Sequence, residues 1–381
     1  MSGFATLPDS STPVRMIQVG AGGMGRVWLE LLVAAPDVDL VGLVDLDVDL
    51  ARRTLAELGI DRVTVGASVT EVAEQVDAQA VVNVTVPVAH HPVTTEALFL
   101  GLPVLSEKPI APTVAQALSL AAAAETTGQL LMTSQSRRYY RSLQEFRQQV
   151  RSIGQVGILT TEFFVAPRFG GFRDEMPYPL LVDMAIHPFD VARYLLGANP
   201  VSVYCESFSP AWSWYAGDAA TTAIFEFADG TRYTFTGSWC SGGLETSWNG
   251  SWRASGSSGT ATWNGEDSPL AAGFVENATT PSIVATDAAG PEVIAGALAE
   301  FISALRTGEA PSGEVHSNVF SLAMVEAAVR SAQTGARVAI AEVLEAALVS
   351  AIVLEQRADV RSRLESWESA VGHLGTSPQR H

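Results

Sequence analysis

The chain has 381 residues, more than one hydrophobic core usually organises, so its length predicts two domains. Its formal net charge of −18 disfavours nucleic acid and anionic membranes as partners, because both bind basic surfaces. Only Cys205 and Cys240 occur, outside any metal-ligand spacing, which predicts free thiols and a cytoplasmic location. The sequence also lacks the pattern of a secretory signal and any run long enough to span a bilayer.

A glycine-rich turn over residues 20–25 follows the apolar run 14–19 and leads into the helix-like stretch 26–32. Strand, glycines and helix in this order indicate a dinucleotide-binding turn, in which the pyrophosphate approaches bare backbone at the start of a helix. The alternative is a glycine turn in an ordinary α/β unit. The candidate cofactor-binding residues of this turn are Gly20, Gly22, Gly23, Met24 and Gly25.

A second strand-like run, residues 40–44, ends at Asp45, about twenty residues after the turn. A carboxylate at this place accepts hydrogen bonds from a ribose diol and repels a 2′-phosphate. The sequence therefore predicts NAD as the cofactor, with NADP less favoured. Arg52 and Arg53 on the following helix stand against this preference.

The first third of the chain alternates strand-like and helix-like segments. Strands are predicted at 62–65, 80–84, 103–105 and 130–134, and helices at 50–58, 69–75, 92–100 and from a Thr113 cap to Gly128. This alternation predicts an α/β Rossmann domain with a doubly wound parallel sheet over residues 14–135.

The pattern then changes to long β-rich segments after a predicted helix at 138–152. Asp229-Gly230 indicates a hairpin between two of the predicted strands. These segments, with helices at 294–306 and 318–334, predict an α+β domain over residues 136–340 that has a large, mostly antiparallel open sheet. The predicted strands are 158–165, 201–208, 221–227, 231–239, 251–254 and 260–263.

The chain ends in a predicted C-terminal helical extension over residues 341–381, with one helix at 341–370. Val360, Leu364 and Trp367 recur at helical spacing, which indicates a core or a subunit interface. An open sheet with an apolar face needs a partner, so a homodimer or homotetramer is expected through the tryptophan-rich sheet.

Three residues carry candidate chemistry. Lys108 directly follows a strand of the first sheet, where the carboxyl ends of parallel strands meet the ligand crevice. Asp183 and His187 lie four residues apart at a helix entry, and Pro188 is tolerated there because it falls in the first turn. Taken alone, Lys108 could equally be a surface charge, and Asp183 a capping carboxylate beside a core histidine.

Taken as an ordered set, these landmarks resemble the glucose–fructose oxidoreductase, inositol dehydrogenase and rhizopine-catabolism (Gfo/Idh/MocA) family over about residues 14–340. The resemblance implies that Lys108 and His187 face the nicotinamide and the reacting carbinol, while Asp183 supports proton transfer. It also implies cofactor contacts by Pro87, His91 and Glu107. The matching set is the glycine turn, Asp45, Pro87 with His91, Glu107-Lys108-Pro109, and Asp183 with His187 and Asp190.

The remaining polar candidates are weaker. His90 and His91 are adjacent, so their side chains diverge and make a poor metal pair, and no metal site is predicted. Arg138, Arg168, Arg173 and Tyr178 are candidate contacts to a polyhydroxylated or carboxylated substrate, although each arginine is alternatively a solvated charge. The tryptophans suggest sugar stacking, but most are expected to pack the sheet; they are Trp212, Trp214, Trp239, Trp248, Trp252 and Trp263.

The sequence thus favours an oxidoreductase that transfers a hydride between NAD(H) and a sugar, cyclitol or related polyol. The substrate class follows from the family resemblance alone. Two alternatives stay open: an NAD-dependent glycosidase that uses transient oxidation, and a non-catalytic NAD(H)-sensing module.

Overall fold

The structure is a computed structural model and describes residues 3–8, 11–273 and 290–375. It divides into two compact units. Of the described residues, the first contains those up to Gln135, the segment Ile294–Val319 and residues 345–375, and the second contains residues 136–273, 290–293 and 320–344. These units do not coincide with the predicted ranges 136–340 and 341–381. The reason is that the chain returns to the first sheet, where the Thr133 N–H donates to the Gly313 carbonyl at 2.8 Å.

The first unit contains a six-stranded parallel sheet with the order β3-β2-β1-β4-β5-β6. This is the strand order of doubly wound dinucleotide-binding sheets, and the ligand crevice of such sheets lies at the carboxyl ends of β1 and β4. The predicted Rossmann architecture is confirmed. The strands are β1 Val14–Val19, β2 Val38–Val44, β3 Thr64–Gly66, β4 Ala80–Asn83, β5 Val104–Glu107 and β6 Leu131–Ser134.

Most of the helices predicted between the strands of the first sheet are present in the structure. Thr113 caps its helix by accepting from the Gln116 N–H at 3.3 Å, and Gly128 ends it with a positive φ of 66°. The predicted helix at 92–100 begins earlier, because Pro87 and not Pro92 occupies the first turn. The helices are α1 Gly23–Ala34, α2 Val48–Glu57, α3 Val69–Ala73, α4 Pro87–Phe99 and α5 Val114–Thr127.

The second unit contains an eight-stranded sheet with the order β13-β12-β11-β7-β10-β9-β8-β14. All neighbouring strands are antiparallel except β7 and β10, so the predicted mostly antiparallel sheet is confirmed. The Asp229-Gly230 hairpin joins β9 to β10 as predicted. The strands are β7 Val156–Phe164, β8 Pro200–Phe208, β9 Ala220–Phe227, β10 Arg232–Ser238, β11 Ser251–Gly256, β12 Gly259–Trp263, β13 Leu270–Gly273 and β14 Val338–Ala339.

One face of this sheet is apolar and buried, and Phe189 of α7 (Ile186–Leu196) packs on it, 4.7 Å from the Phe225 ring and 5.4 Å from the Phe235 ring. The predicted helix at 138–152 is α6 Arg141–Ser152, preceded by a 3₁₀ turn. The opposite face carries a row of side chains aligned by strand register, and this row is more polar than predicted. Its members are Arg253, Thr160, Thr234, Ile224 and Tyr204.

The C-terminal segment is broken, so the prediction of one helix over 341–370 is wrong. Glu355 ends the first helix because its carboxylate accepts from the Ser119 hydroxyl at 2.5 Å and from the Arg357 N–H at 2.8 Å. Val360 and Leu364 of the next helix are buried, and that helix packs on α5 within the first unit. The helices are α8 Val293–Thr307, α9 Val315–Thr334, α10 Ile340–Leu354, α11 Ala358–Glu365 and α12 Ala370–Gly375.

Cys205 and Cys240 are both buried free thiols, as predicted. Among the described residues, no helix combines the length and the apolar character needed to cross a membrane.

Candidate functional site

The glycine turn has the geometry that its sequence demands. Gly20 has φ +104°, and a Cβ there would lie 2.6 Å from the Val84 carbonyl oxygen at the end of β4. A Cβ on Gly25 would collide with the Gly20 carbonyl. The sequence did not reveal the role of Gln18, whose buried amide donates to the carbonyls of Gly20 and Gly25 at 2.8 Å each. This side chain fixes the turn from beneath.

The entrance to α1 is open. A Cβ added to Gly22 or Gly23 would meet no protein atom within 4 Å. Gly22 is the N-cap of α1. Because it has no side chain, it leaves the first backbone N–H groups of the helix without a side-chain cap. An anion fits here, because backbone N–H groups and the positive end of the helix dipole point into the space. The turn therefore fits a dinucleotide pyrophosphate.

Asp45 lies at the carboxyl end of β2, as predicted. Its Oδ2 accepts from the Ala21 N–H at 2.8 Å, and its Oδ1 accepts from the Asp47 N–H at 2.9 Å. These two hydrogen bonds hold the carboxylate beside the glycine turn. Arg53 forms an ion pair with Asp47 at 3.9 Å, and Arg52 forms one with Asp49 at 3.4 Å.

Large apolar side chains are exposed along the same edge of the sheet. Leu46 follows β2 and is 92% exposed, and Val86 and Val88 follow β4 with 62% and 72% exposure. Met24, at the start of α1, is also exposed. Exposed apolar side chains at the carboxyl edge of a doubly wound sheet suit the faces of a bound nucleotide.

The Glu107-Lys108-Pro109 segment follows β5. The Glu107 carboxylate accepts from the Trp28 indole N–H at 3.0 Å and from the Lys108 backbone N–H at 3.1 Å. Burial raises the pKa of Glu107, against the opposing charge of Lys108 and these hydrogen bonds. Glu107 thus positions the backbone of Lys108, a role that Trp28 shares and that the sequence did not indicate. The Lys108–Pro109 peptide bond is cis.

The adjacent histidines point to different partners. His90 is buried between two carbonyl groups, with Nδ1 at 2.5 Å from the oxygen of Pro109 and Nε2 at 3.0 Å from that of Thr85. Burial lowers its pKa. His91 Nε2 is 3.0 Å from the Ser119 hydroxyl on α5, a contact that argues against a cofactor contact through that nitrogen. Pro87 is exposed at the first position of α4.

In the second unit, Asp183 lies in a π-helical turn, Leu180–Met184, that leads into α7. His187 and Pro188 lie in the first turn of α7, as the sequence predicted. The Asp183 Oδ2 accepts from the Arg173 Nε at 2.6 Å. Arg173 was only a weak candidate in the sequence, and the structure makes it a direct partner of a predicted catalytic carboxylate.

Two aromatic rings lie beside this arginine. The Arg173 guanidinium lies 5.1 Å from the ring centre of Phe169 and 4.7 Å from that of Phe172, and both rings are half exposed or more. Arg168 is exposed and stacks 3.9 Å above the ring centre of Trp214. Tyr178 is half-buried just before the π-helical turn, and its carbonyl accepts from the Val182 N–H.

Arg138 has a different environment from the one predicted. It is buried and binds Asp190 through two hydrogen bonds of 2.7 and 2.6 Å. The Ser321 hydroxyl also donates to Asp190, at 2.7 Å, and accepts from Arg193. This buried network argues against the predicted substrate contact of Arg138 and assigns Asp190 a structural role.

The tryptophans divide into two groups. Trp239, Trp252 and Trp263 are buried in the second unit, as expected of residues that pack the sheet. Trp212 and Trp248 are exposed. The sugar-stacking interpretation therefore remains open only for the exposed group and for Trp214 beneath Arg168.

The comparisons with known proteins cover both units. Residues 14–135 match the profile described as "Oxidoreductase family, NAD-binding Rossmann fold", and residues 152–262 match the "GFO/IDH/MocA C-terminal domain". The chain belongs to the Gfo/Idh/MocA family. Its relatives include a reductase and a dehydrogenase, and the matched profile is that of an NAD-binding oxidoreductase, so the protein is an enzyme of the NAD-binding oxidoreductase class.

The chain is similar in sequence to several curated proteins, which carry different names. The protein y4oX of Sinorhizobium fredii is 30% identical over 261 residues, which are 65% of this chain and 72% of that protein. The 1,5-anhydro-D-fructose reductase of Ensifer adhaerens is 26% identical over 83% of this chain and 96% of its own length. Inositol 2-dehydrogenase 1 of Paenarthrobacter aurescens is 30% identical over 50% of this chain and 56% of its own.

Solved structures of oxidoreductases share the fold. An oxidoreductase from Agrobacterium radiobacter in complex with NAD+, L-tartaric acid and magnesium superposes with a TM-score of 0.78 at 19% identity, covering 87% of this chain and 100% of that one. An aldose-aldose oxidoreductase from Caulobacter crescentus superposes with a TM-score of 0.72 at 20% identity, covering 86% and 99%. At these identities the likeness concerns the fold.

Proposed function

We propose that this protein is an NAD(H)-dependent dehydrogenase that interconverts a secondary alcohol and a ketone on a sugar, a cyclitol or a related polyol. The observation that carries the proposal is the entry of α7. There the predicted acid Asp183 is bonded to Arg173, two exposed aromatic rings lie beside that arginine, and His187 follows in the first helical turn. Charged donors beside aromatic faces suit a polyhydroxylated ligand.

The glycine turn and Asp45 would hold the dinucleotide, whose nicotinamide accepts or supplies the hydride when bound. Two observations support NAD over NADP. The Asp45 carboxylate is fixed beside the turn by two backbone N–H groups, and it would repel a 2′-phosphate. Arg52 and Arg53, which could neutralise such a phosphate, are each paired with an aspartate of their own segment.

The protein must also manage a proton. Oxidation of a secondary alcohol removes a hydride from carbon and a proton from oxygen, so it needs a base that titrates near neutral pH. His187 takes this proton at its imidazole, and Asp183 offsets the positive charge that the imidazole gains. The Lys108 ammonium donates to the substrate oxygen and stabilises its alkoxide character. Glu107 and Trp28 position Lys108 through its backbone.

The substrate class is supported by the names of two relatives, an inositol 2-dehydrogenase and a 1,5-anhydro-D-fructose reductase. Both act on cyclic polyhydroxylated compounds by name. The exposed pair of Arg168 and Trp214 adds a cation and an aromatic face within the same unit as His187.

A substrate screen tests the proposal. The purified protein is incubated with NAD+ together with one sugar, cyclitol or glycoside at a time. The nicotinamide absorbance and glycoside cleavage are both followed in each mixture. Net reduction of NAD+ by a sugar or cyclitol supports the dehydrogenase. Glycoside cleavage without net reduction would identify the glycosidase. Tight NAD(H) binding without any turnover would favour the sensing module.

A further inference from the structure

A cluster of histidine and glutamate side chains lies in the first unit, outside the residues assigned to the cofactor and to catalysis. It brings together three elements: Glu125 from the last turn of α5, His316 from the first turn of α9 and His373 from α12. The sequence predicted no metal site, because almost 250 residues separate Glu125 from His373 and only folding brings them together.

The ligand-type atoms of the cluster converge on one point. Glu125 Oε1 lies 2.8 Å from His316 Nε2 and 2.6 Å from His373 Nε2. One donor atom from each of the three residues lies within 4.8 Å of the others. All three side chains are partly buried, with 14%, 13% and 27% exposure for Glu125, His316 and His373, so the point is shielded but reachable from solvent.

A second set of side chains orients these three. The Glu314 carboxylate lies 2.6 Å from His316 Nδ1, so the opposite ring nitrogen is turned toward Glu125. Arg363 and Trp367 donate to Glu125 Oε2 at 2.5 and 3.3 Å, which leaves Oε1 facing the histidines. Trp367 also stacks on the His373 ring with centroids 4.2 Å apart. A carboxylate behind a histidine is the usual outer partner of a zinc-binding imidazole.

We propose that Glu125, His316 and His373 bind a zinc ion through Oε1 and the two Nε2 atoms, and that this ion fastens the C-terminal segment to α5 and α9. Two imidazoles and one carboxylate form a common protein ligand set for zinc, with water in the fourth position. Magnesium and calcium prefer oxygen ligands and do not suit this set. This inference is independent of the proposed dehydrogenase reaction.

The geometry needs little change to accept the ion. Zinc–ligand bonds of about 2.0–2.1 Å place the ligand atoms of a tetrahedral site roughly 3.3 Å apart. The present oxygen–nitrogen distances of 2.8 and 2.6 Å would open by about half an ångström or slightly more on that basis. Small rotations of side chains near the protein surface supply such a movement.

Protons are the natural competitors of zinc at this point. Burial opposes the charged form of His316, but the carboxylates of Glu314 and Glu125 outweigh it and raise the pKa of His316 to about 10. Burial likewise opposes the charge of Glu125, whereas hydrogen bonds from His316, His373 and Arg363 lower its pKa to about 2. The same negative groups that hold a proton on His316 attract a divalent cation, and zinc must displace that proton.

The test measures metal binding on the full-length, tag-free protein after treatment with a chelator. Zinc is titrated against a chromophoric competitor, and cobalt is added separately so that its visible absorption bands report nitrogen and oxygen coordination. The ligand variants are Glu125→Gln, His316→Asn and His373→Gln. Glu314→Gln tests the outer partner, and Glu368→Gln, an exposed carboxylate of the same C-terminal segment, is the matched control.

The wild type and Glu368→Gln should bind one zinc ion with equal affinity and show a higher melting temperature with zinc. Glu314→Gln should lose roughly 10–100-fold in zinc affinity, and each ligand variant should lose more. Folding of every variant is checked by circular dichroism without metal, so that a single unfolded variant leaves the others to decide. Zinc affinity that is absent in the wild type, or unchanged in all ligand variants, overturns the proposal.

Discussion

The guanidinium of Arg173 donates to the carboxylate of Asp183 at 2.6 Å, and the two side chains are 34% and 18% exposed. Asp183 lies in the π-helical turn that leads directly into the first turn of α7, where His187 lies. The arginine therefore fixes one oxygen of the proposed supporting acid, and a change at Arg173 tests whether that orientation matters.

Arg173→Ala should lower kcat by roughly 10–100-fold, because a charge-assisted hydrogen bond worth about 1.5–3 kcal/mol in orienting Asp183 is lost. NAD(H) affinity should change little, since the residues proposed to hold the cofactor belong to the other unit. Steady-state rates and cofactor titration provide the measurement. Arg232→Ala removes an arginine paired with Glu226 on the sheet and is the matched control. Equal rates in both variants would contradict a role for Arg173.

The cofactor preference follows from Asp45. We expect a higher kcat/KM with NAD(H) than with NADP(H), because the fixed carboxylate repels the 2′-phosphate. Asp45→Ala should reduce the ratio of kcat/KM with NAD(H) to kcat/KM with NADP(H), because it weakens the binding of NAD(H) and removes the repulsion of the 2′-phosphate of NADP(H). The two cofactors are compared in both proteins with the substrate that the screen returns. Equal or NADP-favouring values in the wild type would exclude the NAD preference.

The buried pair of Arg138 and Asp190 should matter for stability. Arg138→Ala should cost about 3–5 kcal/mol of unfolding free energy, because the buried Asp190 carboxylate loses the guanidinium that donates two hydrogen bonds to it. Arg232→Ala, at an exposed pair, should cost under about 1 kcal/mol. Urea unfolding of both variants provides the comparison. If Arg138→Ala keeps full stability but raises the substrate KM, the structural assignment is wrong, and Arg138 is a substrate contact as the sequence predicted.

The open face of the second sheet is expected to form a homodimer or homotetramer. The row that contains Thr160, Thr234 and Ile224 is aligned by register across three neighbouring strands, which suits pairing of two such faces. Light scattering should give a mass above the 40.3 kDa of one chain, and Thr234→Arg should return it toward that value. A wild-type mass near 40.3 kDa at micromolar concentration would disprove assembly.

Much of the first unit could be predicted from the sequence because its signals are local. A strand, a glycine turn and a helix are contiguous in the chain, and Gly20 and Gly25 have the close contacts that exclude a side chain. The role of Gln18 was not predictable in this way. An amide two residues before the turn has no special pattern, and only the folded backbone brings the two carbonyls within its reach.

Long-range relationships account for the errors. The periodicity of residues 341–370 favoured one helix, but that helix ends at Leu354, and the next residue, Glu355, accepts a hydrogen bond from Ser119, 236 residues away. The sequence favoured a solvent-facing or ligand-binding role for Arg138, because its partner Asp190 lies 52 residues away and meets it only in the folded protein. The histidines of the proposed zinc site were unremarkable in sequence for the same reason. Local patterns predict elements and turns, whereas paired charges depend on the tertiary fold.

The central claim is that Lys108 and His187 perform chemistry and do not merely bind the cofactor. His187→Ala and Lys108→Ala should each lower kcat by roughly 10²–10⁴-fold, as the loss of acid–base or electrostatic help does. Asp183→Asn should cost less than His187→Ala, because the amide keeps part of the hydrogen bonding. The NAD(H) dissociation constant should change little in all three variants.

The most direct measurement is kcat of His187→Ala on the substrate that the screen identifies, with NAD(H) binding titrated on the same preparation. The account predicts a rate at least about 10²-fold below that of the wild type with cofactor binding retained. A near-normal kcat would contradict it and would leave Asp183 and His187 with a structural role at the entry of α7, where Asp183 is bonded to Arg173.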